Sequence, residues 1–363
     1  MIRVFVVDDS PFVRKALRRV LGGKPDIRVV GEAANGDDAL ARIAGADVDV
    51  VTLDVEMQGL SGLEVLRQLL AGQPGLRVIM LSAHTRQGAE SSLEALAAGA
   101  ADFIDKQSLN FMDLDALDRE LVQRVRSLGG GAPPQKASPA PVPELPGLER
   151  TELCVIGAST GGPVAIQSIL ERLPADFPVP IVVVQHMPPG FTRAFAARLN
   201  TLCRLQVSEA VDGVRLERGR VLIAPAGWHL RLTRSLVVAL STDPNGMRHV
   251  PSVDVLFKSA ARARPGRTLG VLLTGMGDDG AEGMAVIRAG GGIAIAESES
   301  TCAVYGMPRV AVERGATSAV LPLPAIAEML CGLQVEAKKP VVGRGGAPAP
   351  PTRGRGGAPL RPD

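Results

Sequence analysis

Aromatic residues are scarce: one Trp, one Tyr and eight Phe make up 3% of the chain. Lys+Arg nearly balance Asp+Glu at a formal net charge of +2. This leaves neither a basic stripe with stacking rings for nucleic acid nor a basic face for a membrane surface. The four cysteines, Cys154, Cys203, Cys302 and Cys331, show no CxxC or metal-finger spacing. A chain of 363 residues can bury a core without a disulfide framework. No apolar run approaches the roughly 20 residues of a membrane helix. A strand pattern begins at Ile2, without the charged and apolar regions of a secretion signal. These absences predict a soluble cytoplasmic protein with no nucleic-acid partner and no membrane insertion.

What is present is a repeated alternation of short Val/Ile-rich runs with longer helical patterns. In residues 1–128 the runs fall at 3–7, 28–32, 48–53, 77–81 and 102–104, with helical spacing at 12–21, 36–43, 63–70, 89–98 and 114–128. Five strand–helix units predict a flavodoxin-like, doubly wound parallel sheet with its functional crevice at the carboxyl ends of the strands. Residues 129–147 are rich in Pro and Gly and read as a semi-stiff linker. Residues 148–333 repeat the alternation and predict a second, mostly parallel α/β domain, with a hairpin insert over 230–240. Residues 334–363, rich in Gly, Pro and Arg, read as a disordered tail.

The predicted strand ends of the first domain carry a coherent set. Strand one ends in Asp8-Asp9, strand three in Asp54 and strand four in Ser82, while strand five leads into Lys106. One strand-end aspartate is explained as a helix cap. Five positions on four loops call for another account. Carboxylates brought together repel unless a hard cation lies among them, and Mg²⁺ takes such oxygen ligands. With a lysine and a hydroxyl added, the set is an acceptor for a phosphoryl group on Asp54.

The segment resembles response-regulator receiver domains. The resemblance implies that a histidine kinase phosphorylates Asp54 and that Asp8 and Asp9 help to hold Mg²⁺, with the backbone carbonyl of Glu56 as a further ligand. It also implies that Ser82 and Phe103 are switch residues and that Lys106 contacts the phosphoryl group. Two positions depart from the pattern: Gln107 and Gln58 stand where receivers usually carry proline. The bond after the lysine is usually cis, and a non-proline cis bond costs about 3 kcal/mol, so the sequence leaves the geometry of the Lys106–Gln107 bond open.

In the second domain a strand runs into Gly157-Ala158-Ser159-Thr160-Gly161-Gly162, a sharp turn that opens a helix. The next strand ends in Gln185-His186-Met187-Pro188-Pro189-Gly190, and a later one in Thr274-Gly275-Met276-Gly277-Asp278-Asp279-Gly280. Taken singly, Ser159 reads as a cap, His186 as a structural histidine and the aspartates as turn formers. Together they supply a nucleophile, a base and an acid to orient that base. The order Ser, His, Asp differs from the Ser, acid, His order of α/β-hydrolases. A Rossmann site expects an acidic residue at the second strand end, where this chain has His186.

These three motifs, following a receiver-like segment, resemble the CheB family of chemotaxis methylesterases. The resemblance implies hydrolysis of glutamate γ-methyl esters on chemoreceptors, with deamidation of receptor glutamines as a second activity. Ser159 would be the nucleophile, His186 the general base and Asp279, the aspartate immediately before glycine, its orienting acid. Ester hydrolysis would need no metal. Backbone amides near Thr160 and Met276, in glycine-rich loops, are expected to hold the oxyanion. The receiver is expected to cover the crevice until Asp54 is phosphorylated. Two rivals are a receiver fused to a non-catalytic scaffold and a transcriptional regulator. The latter calls for a compact helix-turn-helix after the linker, where an α/β pattern stands instead.

Overall fold

The computed structural model describes residues 1–83, 85–107, 117–130, 143–242, 246–247 and 249–333. The proposed tail and residues 131–142 of the proposed linker lie outside them.

The N-terminal half is built from β1 (Ile2–Val7), α1 (Pro11–Gly22), β2 (Ile27–Ala33), α2 (Gly36–Ile43), β3 (Val50–Asp54), α3 (Gly62–Gly72), β4 (Arg77–Ser82), α4 (Arg86–Ala97) and β5 (Asp102–Asp105). A π-helical turn, Asp118–Val122, then runs into α5 (Gln123–Gly129). The sheet order is β2-β1-β3-β4-β5, all parallel. β3, a mostly apolar run, is buried along its whole length, as a strand covered on both faces must be, and β5 is buried as well although it begins and ends in aspartate. Strand order reverses at β1, which lies between β2 and β3. This switch point brings Asp8, Asp9 and Asp54 to one crevice.

The C-terminal half follows a 3₁₀ turn at Leu148–Arg150. Its elements are β6 (Leu153–Ala158), α6 (Gly162–Leu170), β7 (Ile181–Gln185), α7 (Phe191–Leu202), β8 (Gln206–Glu209), β9 (Arg220–Ile223), β10 (His229–Leu232), β11 (Val238–Ser241) and α8 (Val253–Ala263). β12 (Thr268–Leu272), α9 (Ala281–Ala289), β13 (Ile293–Glu297), α10 (Met307–Glu313), β14 (Ala319–Leu321) and α11 (Leu323–Cys331) complete it. Seven strands pair in the order β14-β13-β12-β6-β7-β9-β8, every pairing parallel. β10 and β11 form a separate antiparallel pair, the expected hairpin. β6 lies at the centre with β12 on one side and β7 on the other, so the loops after these three strands share a second switch-point crevice.

The two halves touch. Leu93 and Phe103 of the first fall in one continuous apolar cluster with Phe191 and Phe195 of the second, and α4 packs against α6 and α7. Leu145 and Leu148, just before β6, pack against the same cluster.

Candidate active site and phosphoryl-acceptor site

Ser159 follows β6, His186 follows β7, and Asp279 lies in the loop after β12, so three adjacent strand ends supply the three side chains. His186 Nε2 and Asp279 Oδ2 are 2.9 Å apart, with both side chains about nine-tenths buried. Ser252 caps α8, and Asp279 sits at that helix's N-terminus. It accepts from Ser252 Oγ at 2.9 Å and from the backbone N–H groups of Val253 at 2.8 Å and Asp254 at 2.9 Å. A helix N-terminus favours an anion, and its free N–H groups need acceptors.

Burial alone would raise the Asp279 carboxyl. The His186 hydrogen bond and charge and the two backbone donors outweigh it and hold the carboxyl down at about 2. Asp279 is therefore ionised at neutral pH and can only accept, so His186 Nε2 carries the hydrogen. That tautomer leaves the lone pair on Nδ1, which is buried and among the described residues has no hydrogen-bond partner, Ser159 Oγ included. The His249 ring stacks on His186, with centroids 4.2 Å apart and planes 9° apart.

The loops around Ser159 are held by a buried network. Ser159 N–H donates to Thr274 O at 3.0 Å, and Thr274 Oγ1 donates to Thr160 O at 3.0 Å. Thr274 N–H donates in turn to Glu297 Oε2 at 2.8 Å. Burial raises the Glu297 carboxyl above its ordinary range, against the Thr274 and Thr301 hydrogen bonds that lower it. Gly275 packs so closely on the Ser159 loop that a Cβ there would collide with Met307 Sδ and Ser159 Cβ. Among the described residues no protein acceptor takes the backbone N–H of Thr160 or of Met276, so both donors stay available.

Sequence reasoning did not single out Ser252, Thr274, Glu297 or His249. Ser252 carried a signal, a serine just ahead of a helical pattern. The other three act through contacts between segments far apart in the chain.

In the first half, Asp8, Asp9 and Asp54 place carboxylate oxygens within 4.8 Å of one another. Lys106 Nζ lies 2.9 Å from Asp8 Oδ2 and 2.7 Å from Asp54 Oδ2. Burial pushes the Asp54 carboxyl up to about 6 although Lys106 opposes the shift. One lysine does not neutralise three carboxylates, and an all-oxygen donor set of net negative charge suits a hard divalent cation. Glu56 lies beside them and donates its N–H to Asp54 Oδ1 at 3.3 Å.

Ser82 Oγ donates to Gly88 O at 2.9 Å, at the first turns of α4. Among the described residues the cis peptide bond is Val250–Pro251. The Lys106–Gln107 bond is thus not cis, in keeping with the loss of proline, and Gln107 N–H donates to Asp105 Oδ1 at 2.9 Å, a bond proline could not make. Lys106 reaches both aspartates all the same.

Phe103 meets the other half directly: its ring stacks on Phe191, with centroids 4.8 Å apart and planes 15° apart. Phe191 opens α7, five residues after His186. On the opposite side of the crevice Ser127 Oγ donates to Met276 Sδ at 3.2 Å. Between α4 and α7 a cavity of about 680 Å³ is lined by Glu90 and Glu94 on one wall and Arg193 and Arg198 on the other.

Residues 154–330 match the family model for CheB methylesterase, and residues 4–116 match that for response regulator receiver domain. A protein-glutamate methylesterase/protein-glutamine glutaminase of Symbiobacterium thermophilum is 45% identical over 350 residues, covering 91% of this chain and 96% of the relative. One of Myxococcus xanthus is 44% identical over 338 residues, covering 91% and 97%. The crystal structure of the Thermotoga maritima CheB methylesterase catalytic domain is 42% identical, covers 50% of this chain and 97% of its own, and gives a TM-score of 0.49. With identity at this level along nine-tenths of its length, the chain belongs to the CheB methylesterase family and carries a response-regulator receiver domain ahead of the methylesterase domain.

Proposed function

We propose that this enzyme hydrolyses glutamate γ-methyl esters on chemoreceptor proteins through Ser159, and that its receiver restricts access to Ser159 until Asp54 is phosphorylated by a chemotaxis histidine kinase. The observation that carries the chemistry is the His186–Asp279 pair, in which an ionised carboxylate fixes the tautomer and leaves Nδ1 as the base. His186 Nδ1 takes the Ser159 proton as Oγ attacks the ester carbonyl. The carbonyl π electrons move onto oxygen, where the free N–H groups of Thr160 and Met276 supply donors. Collapse breaks the C–O bond, and His186 returns the proton to methoxide, releasing methanol. Water then attacks the acyl-serine with His186 again as base, giving glutamate and free Ser159. A receptor glutamine follows the same course with ammonia as the leaving group, which extends the relatives' second name, glutaminase, to this chain.

In the receiver, Asp8, Asp9, Asp54 and the Glu56 carbonyl would hold Mg²⁺, which when bound offsets phosphoryl charge. Lys106 holds the Asp54 carboxylate in place and remains beside the acceptor oxygen. The gate is supported by where the receiver touches: Phe103 lies against the helix that follows the His186 loop, and Ser127 against Met276. These two contacts flank the crevice through which a receptor helix would reach Ser159. Phosphorylation that moves Phe103 and Ser82 would weaken the docked arrangement, and tenfold activation requires only about 1.4 kcal/mol of differential docking. Methanol release from methylated receptor membranes, with the parent and with Ser159→Ala, tests the chemistry. Retained hydrolysis by Ser159→Ala would remove Ser159 from this role.

A further inference from the structure

The Ser159 and His186 loops belong to different strands, and one buried side chain bonds to both. Gln185 is the last residue of β7, is 1% exposed, and pairs in register with Ala158, the residue before Ser159. Its Nε2 donates to the carbonyl oxygen of Ser159 at 2.8 Å and to that of His186 at 3.1 Å. A single amide nitrogen therefore spans the backbones of the nucleophile and the base.

Satisfaction of buried polar groups does not by itself account for this arrangement. Ser159 O already accepts the Gly162 N–H at 2.8 Å, so the bond from Gln185 is a second one. The other end of the same amide is left in deficit, because Gln185 Oε1 is buried without a hydrogen-bond partner among the described residues. A buried polar atom without a partner carries a desolvation cost and calls for an explanation. It also constrains the neighbouring helix, since a Cβ at Gly162 would collide with Oε1. What the amide adds is a fixed separation between two loops that, among the described residues, are otherwise joined by the His186 N–H to Ala158 O hydrogen bond of 3.1 Å.

We propose that Gln185 is a positioning residue for ester hydrolysis, tying the Ser159 and His186 backbones together so that Ser159 Oγ can come within hydrogen-bond reach of His186 Nδ1. This rests on the assignment of Ser159 and His186 above. Proton transfer between the two requires hydrogen-bond reach, and misplacement by about 1 Å can cost a hundredfold in rate. Gln185 itself touches neither substrate nor the moving proton.

The test uses the full chain with an excess of small-molecule phosphodonor, so that the receiver does not mask the result. Methanol release from methylated receptor membranes is measured for Gln185→Met, which keeps the length and loses the donor, and for Gln185→Glu, whose carboxylate would face two carbonyls. Rates are expressed per folded molecule, with the folded fraction taken from thermal unfolding, and kcat is separated from KM. Both variants are expected to lose at least tenfold in kcat per folded molecule with KM within twofold of the parent. If Gln185→Met does not fold, Gln185→Asn, whose amide falls short of both carbonyls, gives the same readout. A kcat per folded molecule within twofold of the parent, or a loss confined to KM or to the folded fraction, overturns the proposal. Ser159→Ala runs in parallel: hydrolysis surviving there refutes the nucleophile assignment, whatever the Gln185 variants do.

Discussion

Replacing Phe103 by alanine should release the enzyme from its own receiver. The Phe103 ring stacks on Phe191 at 4.8 Å and 15°, directly between the receiver sheet and the helix that follows the His186 loop. An aromatic pair in such a geometry contributes about 0.5–1.5 kcal/mol beyond its buried area. If the docked arrangement dominates before phosphorylation, losing that contribution shifts the docking equilibrium by roughly two- to twelvefold. Methanol release by unphosphorylated Phe103→Ala should rise by the same factor, while the fully phosphorylated rate should barely change. The assay is initial-rate methanol release from methylated receptor membranes, with and without phosphodonor. Phosphoryl uptake on Asp54 serves as the control that the receiver remains folded. An unphosphorylated rate equal to the parent's, in a variant that still takes up phosphate, would refute the reasoning. Ser127→Ala removes only a weak contact to the Met276 sulfur and should raise the unphosphorylated rate less than twofold.

Asp279→Asn keeps the shape and loses the charge that fixes the His186 tautomer. Its kcat should fall about 10³–10⁴-fold with KM little changed, and a loss under tenfold would remove Asp279 from its role. Because the folded-state pKa of Asp279 is depressed to about 2, its contribution to stability is present above the unfolded value near 3.8 and is lost as pH falls toward 2. Thermal unfolding of the parent and Asp279→Asn should therefore converge over that window. Asp54 has the opposite sign. Its folded-state value of about 6 lies above the unfolded one, so the ionised carboxylate weakens folding increasingly as pH rises from about 4 to 6 and fully above 6. Asp54→Asn should accordingly be more stable than the parent at pH 7 without divalent cations, by about 3 kcal/mol at most. It should also lose all response to phosphodonor, and unfolding curves that coincide at pH 7 would contradict the electrostatic account. Thr274→Val removes the hydroxyl that binds Thr160 O and should lower kcat more than Thr274→Ser, which retains it. Equal rates for the two would argue against that brace.

Much of this architecture was legible in the chain because parallel strands covered on both faces must be continuous apolar runs. Ile181–Gln185 reads Ile-Val-Val-Val-Gln and is buried throughout. Gln206–Glu209 is not legible in this way because it is an edge strand with one buried valine among polar residues, and Ala319–Leu321 is not because three residues carry no period. Ser159, His186 and Asp279 could be picked out because each lies in the loop that follows a strand. Their support could not. Asp279 is fixed by Ser252, Val253 and Asp254, more than 20 residues earlier, and Thr274 by Glu297, 23 residues later. Such pairs leave no local pattern. The stack of Phe103 on Phe191 depends on how two separately folded sheets meet, which periodicity within either one does not encode.

The central claim is that a receiver controls a serine esterase in one chain. It is tested most directly by methanol release from methylated chemoreceptor membranes, measured for the full-length protein before and after phosphodonor is added. The account expects slow release that rises at least tenfold on phosphorylation, with neither rate detectable in Ser159→Ala and no rise in Asp54→Asn. Release that is equally fast with and without phosphodonor, in protein shown to carry phosphate on Asp54, would contradict it.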